Sequence, residues 1–138
     1  MKLMFKLLTR LHLWIYRLSG GKVWSTMMGQ PVLILTTKGR KSGRPWTVPL
    51  LSFKDKDDYI LVASNGGQDF HPAWYLNLQA NPEVVIEVKD KKQTARAEEI
   101  KGAERDQLWS LIVSKAPAYG GYEKKTEREI PLVRLRVG

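Results

Sequence analysis

The chain has 138 residues, with 23 Lys and Arg against 14 Asp and Glu, a formal net charge of +9 and no cysteine. That length suits one domain with a sizeable core. The missing cysteines exclude disulfides and thiolate metal sites and suit a reducing cytoplasm. The charge excess points to an anionic partner: a nucleic acid, an acidic membrane or a polyanionic small molecule.

Lys2 to Leu18 reads as a helix. Lys2, Lys6, Arg10 and Arg17 form a narrow basic stripe, and Leu3, Leu7, Leu11, Trp14 and Ile15 lie on the broad apolar remainder. Charges interrupt it too often for a spanning helix, which needs about 20 apolar residues. With no small-residue cleavage site behind it, it does not read as a signal peptide. Two readings stand: packing on the rest of the protein, or lying in a membrane interface. Gly20-Gly21 ends it. Residues 1–29 form this segment and residues 30–138 a barrel domain.

Pro31 to Thr37 and Trp46 to Phe53 read as strands, and Pro49 places an edge or a bulge in the second. Lys54 to Asp58 turns the chain into a strand from Tyr59 to Ser64. Asn65-Gly66-Gly67 is a loop. Pro72 fits the first turn of a short helix through Leu78, closed by Asn81-Pro82. Glu83 to Val88 alternates like a half-buried strand, and Asp90-Lys91-Lys92 turns it into Gln93 to Ile100. Gly102 to Ser114 is helical, and Ile130 to Val137 is a last strand. The class is α+β, mainly β: about six mostly antiparallel strands with flanking helices, which suits a small barrel.

Between the first two strands lies Lys38-Gly39-Arg40-Lys41-Ser42-Gly43-Arg44. Glycines permit the backbone shapes in which N–H groups converge on an anion. Arg adds a fork for phosphate or carboxylate and Lys a point charge. The loop reads as an anion site. It is not a P-loop, because Gly39 and Gly43 are too close and no Lys follows Gly43. His12 and His71 are the only histidines, so no metal site is expected. His71 reads as a helix-start residue beside Pro72. No Gly-x-Ser-x-Gly elbow is present. Glu98 and Glu99 point to opposite faces of a strand and form no acid–base pair. Glu123, Lys124, Lys125 and Glu127 read as a solvated helical face.

Three segments in order resemble the deazaflavin (coenzyme F420)-dependent nitroreductase family: Leu35 to Gly43, Val62-Ala63-Ser64-Asn65-Gly66-Gly67, and His71-Pro72-Ala73-Trp74-Tyr75-Leu76-Asn77 through Pro82. The tail, Tyr119-Gly120-Gly121-Tyr122 with Thr126, Arg128 and Ile130-Pro131, is also similar to it. The resemblance implies a split β-barrel and an oxidoreductase. Reduced F420 would give a hydride to a quinone, an activated alkene or a nitroaromatic. It implies cofactor contacts at Lys38, Arg40, Lys41, Ser42, Gly43, Trp46, Val48, Pro49, Val62, Ala63, Ser64, Asn65, Ala73, Trp74 and Asn77. Ser64, Tyr119 and Tyr122 are the candidate catalytic donors, set to meet oxyanion charge on the acceptor. FMN is the alternative cofactor, because related split barrels use it. Trp46 and Asn65 depart from cations found in some members. Leu51 and Ala116 stand where nitro-drug-activating members carry tyrosines.

Family members often pair, so a homodimer is one implied state. The expected location is the cytoplasm, extended to the inner face of the cell membrane if residues 2–18 bind lipid. The competing function is a non-catalytic fatty-acid- or lipid-binding barrel at a membrane surface. Nucleic-acid binding is not expected, because the aromatics are dispersed in core positions rather than interleaved with cations on one exposed sheet.

Overall fold

The computed structural model describes Thr26, Met27 and residues 30–137. The N-terminal helix expected from Lys2 to Leu18, and His12 within it, lie outside the described residues. The strands are β1 (Thr26–Met27), β2 (Gln30–Lys38), β3 (Pro45–Asp55), β4 (Asp58–Val62), β5 (Glu83–Val88), β6 (Lys91–Ile100) and β7 (Leu132–Val137). The helices are α1 (Ala73–Ala80), α2 (Gly102–Lys115) and α3 (Ala118–Lys125), with a 3-10 turn at Asn65–Gly67.

The sheet runs β1-β2-β3-β4-β7-β6-β5, and a β2–β5 pairing closes the last six strands into a barrel. Every pairing is antiparallel. The split-barrel expectation therefore stands, with the flanking helices.

Alternation explains the closure. Leu33, Leu35, Leu61, Ile86, Val133 and Leu135 share one buried cluster, each two residues from the next inward neighbour on its strand. Trp74, Tyr75 and Leu78 of α1 belong to the same cluster, so α1 packs on the barrel interior. The opposite face of β4, Ile60 and Val62, joins Phe53, Ile100 and Leu132 under Trp109, Ile112, Ala116 and Tyr119 of the α2–α3 region. Strand β4 is thus covered on both faces, which is why Tyr59 to Val62 is continuously apolar.

Pro49 occupies the stretch of β3 that pairs with β2 alone, opposite Ile34, while β4 joins β3 only from Ser52 to Asp55. An edge position explains how a residue without an N–H sits mid-strand. The two hairpin turns are tighter than expected. Strand β3 reaches Asp55 and β4 starts at Asp58; β5 ends at Val88 and β6 starts at Lys91. Lys56 (φ 56°) and Lys89 (φ 57°) take the left-handed shape that two-residue hairpins need. Both turns were expected from composition, but lysine is uncommon at such a position, so their two-residue length and bounds were not. Pro72 precedes α1 as its cap residue instead of opening its first turn.

Arg134 pins the β3–β4 turn to β7, 2.8 Å from Asp55 and 3.6 Å from Asp58. Glu98 and Glu99 diverge as expected: Glu98 accepts from Arg136 at 2.7 Å, and Glu99 accepts from the Tyr75 hydroxyl.

Candidate functional site

The basic loop is a tight turn carried by the β2–β3 hairpin. The Gly39 N–H donates to the Arg44 carbonyl and the Gly43 N–H to the Gly39 carbonyl, each at 2.8 Å. The Arg44 N–H donates to Ser42 Oγ at 3.1 Å. A Cβ on Gly39 would lie 2.8 Å from Ser42 Oγ and 3.0 Å from the Arg44 carbonyl, and Gly43 has φ +72°. Both glycines are therefore required by this turn. Ser42 closes the turn with its own side chain.

Lys38, Arg40, Lys41, Ser42, Gly43, Arg44 and Trp46 are all exposed. Among the described residues no carboxylate forms an ion pair with Lys38, Arg40, Lys41 or Arg44. Four cations on one turn, held without counter-charges, suit a polyanion. A groove of about 280 Å³ runs beside the turn, lined by Thr36, Lys38, Gly43, Pro45, Glu83 and Thr94 among others. Val48 and Pro49 continue the site half-buried along β3.

Asn77 links this loop to α1. Its Oδ1 accepts from the Arg40 N–H at 3.1 Å, and its Nδ2 donates to Thr37 Oγ1 at 3.1 Å. At 2 % exposure it acts on the loop from behind. Ala73 is half-buried, and Trp74 is buried edge-on to Tyr75 with ring centroids 6.4 Å apart.

The segment between β4 and α1 is built differently. Val62, Ala63 and Ser64 are buried, and Asn65 is half-buried. Ser64 is right-handed at φ −76°, and Asn65 (φ 48°), Gly66 (φ 66°) and Gly67 (φ 82°) follow in left-handed conformations. The Gly67 N–H donates to the Ser64 carbonyl at 2.9 Å. The N–H groups of Asn65 and Gly66 have no acceptor among the described residues. A right-handed residue followed by a left-handed one turns such N–H groups to a common side.

Arg128 holds this segment, a role its position in a polar tail did not reveal. Its Nε donates to the Gln68 carbonyl at 2.9 Å, and its NH2 nitrogen donates to the carbonyls of Ala63 at 3.2 Å and Ser64 at 2.8 Å. Its NH1 nitrogen lies 3.0 Å from His71 Nδ1. Burial first, and the Arg128 cation second, hold the His71 imidazole below its usual range, with Glu99 opposing. His71 is therefore neutral at neutral pH, and Nδ1 accepts from Arg128. The ring also rests on Tyr75, centroids 4.8 Å apart. Thr126 straps the other side, donating to Asp69 at 2.9 Å.

The two tyrosines lie on α3, which begins at Ala118, ahead of the charged helical face that the sequence shows. Tyr119 is buried edge-on to Phe53 (5.9 Å) and Tyr122 (5.7 Å). Burial, helped by Tyr122, pushes its hydroxyl up to about 12. The helix packs on the 3-10 turn so closely that a Cβ on Gly67 would lie 3.0 Å from the Tyr122 carbonyl. The fold thus brings Ser64 and the α3 tyrosines into one neighbourhood. The basic loop meets α1 at Asn77, four residues past Ala73 at the start of the helix, a rise of about 6 Å. Among the described residues no cluster of three or more His, Cys, Asp or Glu could hold a metal ion, and no helix is long and apolar enough to cross a membrane.

Comparison with known proteins adds a third line. Residues 8–136 match the family model of F420H(2)-dependent quinone reductases. A Mycobacterium tuberculosis (strain H37Rv) protein named F420H(2)-dependent quinone reductase is 39% identical over 132 residues, covering 93% of this chain and 89% of that one. Among solved structures, an F420-H2 dependent reductase (FDR-A) superposes with a TM-score of 0.70 at 40% identity, over 77% of this chain and 94% of that one. A structure described as a domain-swapped dimer matches with the same TM-score and identity, over 77% of this chain and 80% of that one.

Proposed function

Since this chain belongs to the F420H(2)-dependent quinone reductase family, we propose a division of labour among its residues for hydride transfer from reduced F420 to a quinone. The family match favours this enzyme over the lipid-binding alternative and F420 over FMN. When bound, F420 supplies the hydride; the protein binds, orients and excludes water.

The observation that carries the residue assignment is the cation set around the Gly39–Gly43 turn, which has no ion-pair partner among the described residues. F420 is a small polyanion with a phosphodiester and an oligoglutamate tail, and the turn fits such a group. Lys38, Arg40, Lys41 and Arg44 hold the anionic tail, and Asn77 fixes the backbone from which they project. Val62 to Asn65, with Val48 and Pro49, line the ring end. Trp46, exposed beside the cations, covers one side of the cofactor. Ser64, Tyr122 and Tyr119 stand near the acceptor and donate hydrogen bonds to the quinone oxygen as it gains charge. With its hydroxyl pushed up to about 12, Tyr119 stays a donor at any physiological pH. Residues 30–138 are the catalytic unit in this reading. The domain-swapped neighbour supports a homodimer.

Titration of the protein with F420, then oxidation of the reduced cofactor by a quinone, tests the assignment. Micromolar binding and quinone-dependent oxidation are expected, and Tyr122→Phe should lower turnover with little change in cofactor affinity. Turnover unchanged with every quinone removes Tyr122 from the mechanism. Pelleting with vesicles, with and without residues 1–20, tests membrane contact in a cytoplasmic protein.

A further inference from the structure

We propose that Arg128 is a positioning residue for this reaction: its guanidinium sets the shape of the backbone from Ala63 to His71 against which the cofactor ring and acceptor align. The inference rests on the assignment above and adds a residue to it.

The geometry is specific to a guanidinium. Arg128 ties the carbonyls on both sides of the left-handed run, Ala63 and Ser64 before it and Gln68 after it, and adds His71 at the entry to α1. Four partners from one planar fork exceed what a lysine ammonium can satisfy at these positions. The run it encloses needs such support. Asn65 is a non-glycine residue in the left-handed region, and three successive left-handed residues do not persist without surrounding constraint.

The contacts also have a direction. With the carbonyls of Ala63, Ser64 and Gln68 turned toward Arg128, the N–H groups of Asn65 and Gly66 are left without acceptors among the described residues. Arg128 thereby orders the ring-facing backbone without touching the reacting atoms. Its partners lie 57 to 65 residues away in sequence, so nothing local replaces them.

Arg128→Lys and Arg128→Ala test this in the full chain. Affinity for F420 should stay within about threefold of wild type, because the basic loop is intact. Turnover with a quinone should fall about 10- to 100-fold, the usual consequence of a displaced near-attack geometry. Guanidinium ion should partly restore Arg128→Ala, and ammonium at equal concentration should not. Without cofactor, amide exchange should quicken at residues 64–69 and stay unchanged at Leu33, Leu35 and Leu135. Should Arg128→Ala fail to fold, His71→Gln removes one of the four contacts and should give a milder form of the same split. Unchanged turnover in a folded Arg128→Lys would overturn the proposal. So would affinity and turnover falling together while exchange quickens across the whole barrel. A wild-type protein that neither binds F420 nor oxidises it overturns the functional assignment instead, and the exchange measurement still reports on Arg128.

Discussion

The basic loop and the Ala63–His71 segment are both connections between regular elements, yet they are built on opposite plans. In the loop the backbone is fixed by its own short turn and by Asn77, and long charged side chains project freely into solvent. In the other segment the first side chains are buried, and a distant cation grips the backbone itself. The first plan suits recognition of a flexible anion, where charge matters more than exact placement. The second suits alignment, where a small displacement lowers the rate. Affinity and orientation are thus assigned to different regions, and substitutions should separate them.

The largest expected effect comes from disturbing the gripped segment. Gly67→Ala must place a Cβ 3.0 Å from the Tyr122 carbonyl and 3.1 Å from its Cα at φ +82°. We expect a loss of about 2–3 kcal/mol in urea unfolding. Gly66→Ala has the same handedness but meets nothing within 4 Å, so only about 1 kcal/mol should be lost. Equal losses would show that packing of α3 on the turn contributes nothing.

Next come Arg40→Ala and Lys41→Ala, each expected to weaken F420 binding by roughly 1.5–3 kcal/mol. Unfolding should move by less than about 0.5 kcal/mol, as for other exposed positions. A parallel loss of stability would blur the contrast between the two regions. Asn77→Ala tests the join. It strips the Arg40 N–H of its acceptor and Thr37 Oγ1 of one of its two partners and should cost about 1–2 kcal/mol of stability. Calorimetry should also show a smaller loss of cofactor affinity.

The smallest effect is a pH dependence. Folding lowers the His71 pKa from 6.5, so the folded state disfavours its proton. The contribution to stability is complete above 6.5 and declines as pH falls from 6.5 toward the folded value. The charged groups facing the ring are Arg128, which reinforces the effect, and Glu99, which opposes it; Tyr75 beside it is neutral. Tm should therefore fall on acidification below 6.5, and His71→Gln should flatten that decline.

Much of this was legible in the sequence, for identifiable reasons. The strands announced themselves by alternation, as in Val84 and Ile86, or by the two-sided burial of Tyr59 to Val62. Pro49 marked the stretch of β3 that is paired on one side only. The loop cations and glycines sit next to one another and could be read together. What stayed hidden depends on distance along the chain. Helix α3 carries Gly120-Gly121 and only one buried residue, Tyr119, so its charged end reads as helical but its start, with the tyrosines, does not. Arg128 stands among Lys124, Lys125, Glu127 and Glu129 and looks like one more solvated charge. Only the fold reveals partners up to 65 residues away. The resemblance names Asn77 as a site residue, but its position behind the loop follows only from packing.

The place of β7 in the sheet has a consequence for synthesis. The last strand of the described chain lies between β4 and β6 and bonds to both. The β2–β3 hairpin, with its cationic turn, pairs neighbouring residues and is synthesised long before β7. The barrel cannot close until Leu132–Val137 has been made, and non-local closure of this kind is slow. Arg128 precedes that strand by a few residues, so in the assignment proposed above the residues for the cofactor tail are made well before the residue that positions its ring.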